Sequence, residues 1–77
     1  MPSKLASEIK RIRKSAKLSA ADLAARVGIG RSTVYAFESG RRTPDFATAG
    51  KISIACGMPE NTLKSMYYKS ILYTFDG

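Results

Sequence analysis

The chain has 77 residues, with 13 Lys and Arg against 6 Asp and Glu, for a net charge of +7 at pH 7. At this length only about 60% of the unfolded surface is buried, which suits one small globular domain better than an enzyme with a deep cleft. There is no histidine and a single cysteine, so a zinc set, an internal disulfide and histidine acid–base chemistry are excluded, and no catalytic residue, metal or cofactor is expected.

Taken in chain order, Leu5, Ile9, Ile12 and Ala16 recur at helical spacing and predict a first helix over about 3–16. Lys4, Lys10, Arg11, Lys14 and Lys17 fall on its other faces. Ser19, with Asp22 three residues later, has the form of a capping box opening a second helix, Ala20 to Val27, which Gly28 ends. A third helix runs from Arg31 to Ser39 and stops at Gly40. Arg41-Arg42-Thr43-Pro44 is a basic loop, and Asp45 is the natural N-cap of a fourth helix, Phe46 to Cys56, closed by Gly57. Gly50 within it is either a weak point or a site of close helix approach. Cys56 reads as a small buried hydrophobe, with a redox-sensing thiol as the alternative. A fifth helix carries Leu63, Met66, Tyr67 and Ile71, and the last residues, 71–75, fit either its extension or a short strand. The fold class is therefore all-α, a compact bundle of about five short helices.

The charge is unevenly placed. Residues 1–51 hold eleven of the Lys/Arg and four of the acids, whereas residues 52–77 are neutral and apolar. A basic two-thirds on so small a domain favours a polyanionic partner. No apolar run approaches the roughly 18 residues of a membrane helix and no leader pattern is visible, so a cytoplasmic, nucleoid-associated protein is expected and a membrane is not an expected partner.

The stretch from Ala20 to Ser39 has a specific steric logic. Two helices meeting at a wide angle need a small residue where they cross, which Ala24 supplies, and a turn residue free of a Cβ, which Gly28 supplies. Leu23, Val27 and Ile29 are expected to share a core with Val34 and Phe37. The outer face of the third helix then presents Arg31, Ser32, Tyr35 and Ala36.

From about Ile9 to Leu63 the chain is similar to the lambda-repressor-like, Xre-type helix-turn-helix family of phage repressors, Cro proteins and small bacterial regulators. The resemblance is carried by Ile9-Lys-Arg-Ile-Arg13, Leu18-Ser19, Asp22-Leu23-Ala24, Val27-Gly28-Ile29, Ser32-Thr33-Val34, Phe37-Glu38-Ser39-Gly40-Arg41-Arg42 and Pro44. It implies a DNA-binding domain over 1–63 and a C-terminal helix or tail, 64–77, as a dimerisation element. It also implies that the helix starting at Arg31 enters the major groove of double-stranded DNA. Arg31, Ser32, Tyr35 and Ala36 are then the base-reading candidates, with a phosphate contact as the alternative role of Arg31. Thr33, Arg41 and Arg42 are expected at phosphates, and Arg13 with Glu38 is expected as a salt bridge aiming the reading helix. The chain departs from the family where Ala20 and Arg31 stand at positions that are often glutamine, and where Gly30 replaces a Ser or Thr cap. Lys10, Arg11, Lys14 and Lys17 are candidates to replace the lost phosphate contact, the alternative being plain solvated charge.

The tail is rich in apolar groups, and Leu63, Met66, Tyr67, Ile71, Tyr73 and Phe75 are expected to form a homodimer contact, the alternative being that they fold back over their own core. Two functions follow. One is a transcriptional regulator occupying an operator. The other is an antitoxin-type interaction protein that binds a partner protein through its C-terminal third.

Overall fold

Local capping chemistry sets most of the helix boundaries in the computed structural model, which describes residues 4–67. Helix α1 spans Lys4–Ser15, α2 Ala20–Val27, α3 Arg31–Ser39 and α4 Phe46–Ala55, and α5 follows over 61–67. There is no strand among the described residues, and the expectations for Ile71, Tyr73 and Phe75 lie outside them.

The Ser19 hydroxyl accepts from the Asp22 N–H at 3.0 Å while the Asp22 carboxylate accepts from the Ser19 N–H at 3.1 Å, so two otherwise free donors are satisfied at once. Asp45 caps α4 by accepting from the Thr48 N–H at 2.7 Å. Both carboxyls titrate below their ordinary value: Asp22 because the Ser19 backbone and then its hydroxyl bond the charged form, Asp45 because of the Thr48 side chain and then its backbone.

The helix C-termini repeat one device. After α4, Met58 N–H reaches Ser53 O and Gly57 N–H reaches Ile54 O, both at 2.9 Å, with Gly57 left-handed at φ 77. This is the Schellman arrangement, which places α4 one residue shorter than the expected end at Cys56. After α1 the same pair of bonds joins Leu18 to Arg13 (3.1 Å) and Lys17 to Lys14 (2.9 Å). The left-handed residue there is Lys17, at φ 60. A lysine in that conformation has a Cβ clash that glycine lacks, and sequence pattern does not reveal it.

The core draws from every helix: Ile9 and Ile12 of α1, Leu23 and Ala24 of α2, Val34 and Phe37 of α3, Ala49 and Ile52 of α4, and Leu63 of α5. Each fully buried Leu, Ile or Val contributes about 1.5–3 kcal/mol relative to exposure, which is what holds helices too short to persist alone. Val27 and Ile29 are half-buried at the rim of this core. Cys56 is buried, and desolvation pushes its thiol pKa up, which disfavours the reactive thiolate.

One tertiary feature corrects the sequence reading, and a second decides between its alternatives at Gly50. Leu63 is 0% exposed inside the monomer's own core, so it is not available to a dimer surface. The reason is Ser53, a fully buried hydroxyl that donates to Ala49 O at 3.0 Å and accepts the Leu63 N–H at 3.2 Å, fastening the first turn of α5 to α4. At Gly50, a Cβ would stand 2.7 Å from Cε of Lys64 and 2.9 Å from Cγ of Glu60. The close approach there is of side chains from α5 and the turn just before it over α4.

Candidate nucleic-acid interface

Helix α3 presents two faces of opposite character. Val34 and Phe37 point inward, while Arg31, Ser32 and Tyr35 are exposed, Tyr35 by 51%. Among the described residues the side chains of these three make no hydrogen bond or ion pair with the rest of the protein. The N-cap of α3 is Gly30, with φ −79 and ψ 152 and no side-chain cap. The first amides of the helix therefore lack the side-chain acceptor that Ser or Asp would provide.

Ala36 differs from expectation. It is 5% exposed, because the chain leaving α3 turns back over it: Ala36 O accepts the Arg42 N–H at 3.2 Å and the Ser39 hydroxyl at 3.1 Å. Ala36 lines a depression of about 280 Å³ together with Ser32, Thr33, Arg41 and Arg42, and being buried it is not part of the exposed reading face. The Arg42 guanidinium lies 5.9 Å from the Phe37 ring centroid, and Arg41 Nε donates to Ser39 Oγ at 3.3 Å. The depression thus combines two hydroxyls and two guanidinium groups, a donor set suited to a phosphate.

Arg13 and Glu38 hold this helix from behind. Arg13 Nε meets Glu38 Oε2 at 2.6 Å and Arg13 Nη2 meets Oε1 at 3.1 Å, with the two side chains 11% and 6% exposed. The same guanidinium donates to Leu18 O at 2.9 Å, while the Leu18 N–H returns to Arg13 O. One side chain therefore ties the end of α1, the approach to α2 and the last turn of α3. The pairing also neutralises Glu38, an acid that would otherwise repel a polyanion. On α1, Arg11 is paired with Glu8 at 2.8 Å and 2.5 Å. Lys10, Lys14 and Lys17 are exposed.

Tyr67 and Met66 are half-buried against the core; Tyr67, expected at a dimer surface, has its hydroxyl turned inward to Pro44 O. No sequence signal marks that bond, since the partners are 23 residues apart. Among the described residues no group of three or more His, Cys, Asp or Glu side chains could hold a metal ion, and no helix is long and apolar enough to cross a membrane.

Two helices joined at a left-handed glycine, the second with a free polar face beside a basic loop, define a helix-turn-helix DNA-binding domain. Comparison with protein families agrees: the family described as Helix-turn-helix matches residues 9–63, and the chain belongs to that Cro/C1-type, lambda-repressor-like family of DNA-binding regulators. A search of curated proteins gives no match.

Proposed function

We propose that the protein is a sequence-specific transcriptional repressor of phage or bacterial type, working in the cytoplasm as a homodimer that occupies an operator. The observation that carries this reading is the outer face of α3. The side chains of Arg31, Ser32 and Tyr35 are exposed and make no hydrogen bond or ion pair among the described residues, and Ser32 joins Thr33, Arg41 and Arg42 in lining the depression. In the groove, Arg31 reads a guanine edge through O6 and N7, Tyr35 packs on a thymine methyl or a phosphate, and the depression takes a backbone phosphate. Lys10, Lys14 and Lys17 add sequence-independent attraction along the backbone. The dimer contact uses Met66 and the segment beyond it, including Ile71, Tyr73 and Phe75, and places two α3 helices about one DNA turn apart. Among the described residues of the C-terminal third, Ile54 on α4 is the one exposed large apolar side chain, at 59%, too small a patch to favour the protein-partner alternative.

Selection of bound sites from a random DNA pool, with the protein's mass measured in solution, tests the reading. A two-fold symmetric consensus and a dimer mass are expected, with log K against log salt sloping at roughly −7 to −9 if each protomer contacts four or five phosphates. Arg31→Ala should flatten the preference at one base position, and Arg41→Ala should weaken binding evenly across sequences. A pool that yields no consensus, or a slope near zero, would overturn the proposal.

A further inference from the structure

The basic loop after α3 is held at both ends, and the second anchor comes from an element remote in sequence. At its start, the Arg42 N–H is bonded to Ala36 O at 3.2 Å and the Arg42 guanidinium rests over Phe37. At its end, buried Pro44 offers its carbonyl to the hydroxyl of Tyr67 on α5. The Tyr67 ring is itself fixed, meeting Phe46 edge-on with centroids 5.7 Å apart and planes at 86°. On Phe46 lies Lys64, 4.7 Å from the ring centroid and paired with Glu60 at 2.8 Å. Arg42 at the first anchor and Arg41 just before it remain exposed.

We propose that Tyr67 is a positioning residue for DNA binding: its hydroxyl orders the loop 41–44 so that Arg41 and Arg42 meet phosphates without first losing loop entropy. This rests on the reading of those two arginines as phosphate contacts. Ordering a loop and its long side chains at the moment of association lowers affinity, and a loop fixed beforehand avoids that loss. Burial, reinforced by the Asp45 charge, raises the Tyr67 pKa, so the phenol keeps its proton and remains a donor. The hydroxyl is the group that bonds the loop, and the ring is the group that meets Phe46. Tyr67→Phe therefore cuts the anchor while leaving the ring against Phe46.

The experiment uses the full chain as wild type, as Tyr67→Phe, as the Arg41→Ala/Arg42→Ala pair, and as all three together. Each is titrated onto a mixed-sequence duplex at low salt, and its solution mass and native amide exchange are recorded. Tyr67→Phe is expected to weaken binding about threefold to tenfold, the net worth of one hydrogen bond. It should speed exchange of the Arg42 amide and leave that of Val34 unchanged. In the Arg41/Arg42 background the same substitution should have no further effect on affinity, because there is no longer a charged loop to position. An equal loss in both backgrounds would show a general structural role and overturn the proposal, as would a loss that tracks a change in mass. Unchanged affinity in Tyr67→Phe, with the arginine pair variant impaired, would overturn the positioning role alone. Unchanged affinity in the arginine pair variant would overturn the phosphate reading, and the positioning role with it.

Discussion

Removing Arg13 should be the most damaging single truncation of a charged side chain in this protein. Arg13→Ala deletes two hydrogen bonds to Glu38 and one to Leu18 O, and leaves Glu38, 6% exposed, without its counter-charge. Breaking a buried pair from one side costs about 3–5 kcal/mol. Since the pair lies at the edge of the core, the lower figure applies. A chain of this length holds about 4–12 kcal/mol in total, so about 3 kcal/mol is a quarter or more of it. With a urea m-value of about 1 kcal/mol/M, the unfolding midpoint should fall by about 3 M at unchanged m, or the variant should be partly unfolded without denaturant. Replacing both partners, as Arg13→Met with Glu38→Leu, removes the orphaned charge and should bring stability back to within about 1 kcal/mol of wild type. Far-UV circular dichroism in urea measures all three proteins. A cost under about 1 kcal/mol for Arg13→Ala would mean that the pair behaves as an exposed one and would refute the reasoning. So would a double variant no better than the single.

Stability should also fall in acid. The carboxyls of Asp22, Asp45 and Glu8 titrate lower in the fold than in the unfolded chain, Glu8 chiefly through its hydrogen bond from Arg11. Their contribution is therefore complete above the unfolded value near pH 4 and is lost as pH drops through the folded values. Thermal midpoints measured from pH 6 down to pH 2 should show this decline, and an Asp22→Asn/Asp45→Asn variant should show a shallower one. Ser53→Ala strands the buried Leu63 N–H and should cost about 1–3 kcal/mol, with amide exchange in 61–67 accelerated before that of α1–α3; uniform acceleration would contradict the local role. Lys17→Gly should stabilise by about 0.5–1 kcal/mol by removing a Cβ from the left-handed region, less what glycine adds to unfolded-chain entropy. Lys17→Ala keeps the Cβ, and an equal gain there would show that strain is not the cause.

What could be read from the residues alone follows the range of the interaction. Ser19 with Asp22, Asp45 with Thr48, and the left-handed Gly28 are settled within four positions of chain, so pattern suffices to place them. The inward positions of α3 were legible for the same reason, because helical period separates Val34 and Phe37 from Arg31 and Tyr35. The Arg13–Glu38 bridge spans 25 residues and entered only through resemblance to a family. Ala36 shares the period of the outer face, and only the path of the returning loop covers it. Leu63 and Tyr67 read as surplus apolar groups, since nothing local announces a hydroxyl at Ser53 or a carbonyl at Pro44 waiting for them. Lys17 was invisible because a lysine gives no hint of a positive φ.

The isolation of the outer face of α3 has a bearing on how such proteins diverge. Arg31, Ser32 and Tyr35 project from a helix whose position is set by Val34, Phe37 and Glu38, which contact the other side. Because the side chains of the three make no hydrogen bond or ion pair with the scaffold and lie outside the buried core, their identities are only lightly constrained by folding. A lineage, or a library randomised at these positions, can wander through DNA specificities without crossing a stability threshold at each step. The departure at Arg31 from the family's frequent glutamine is the kind of change such a face permits.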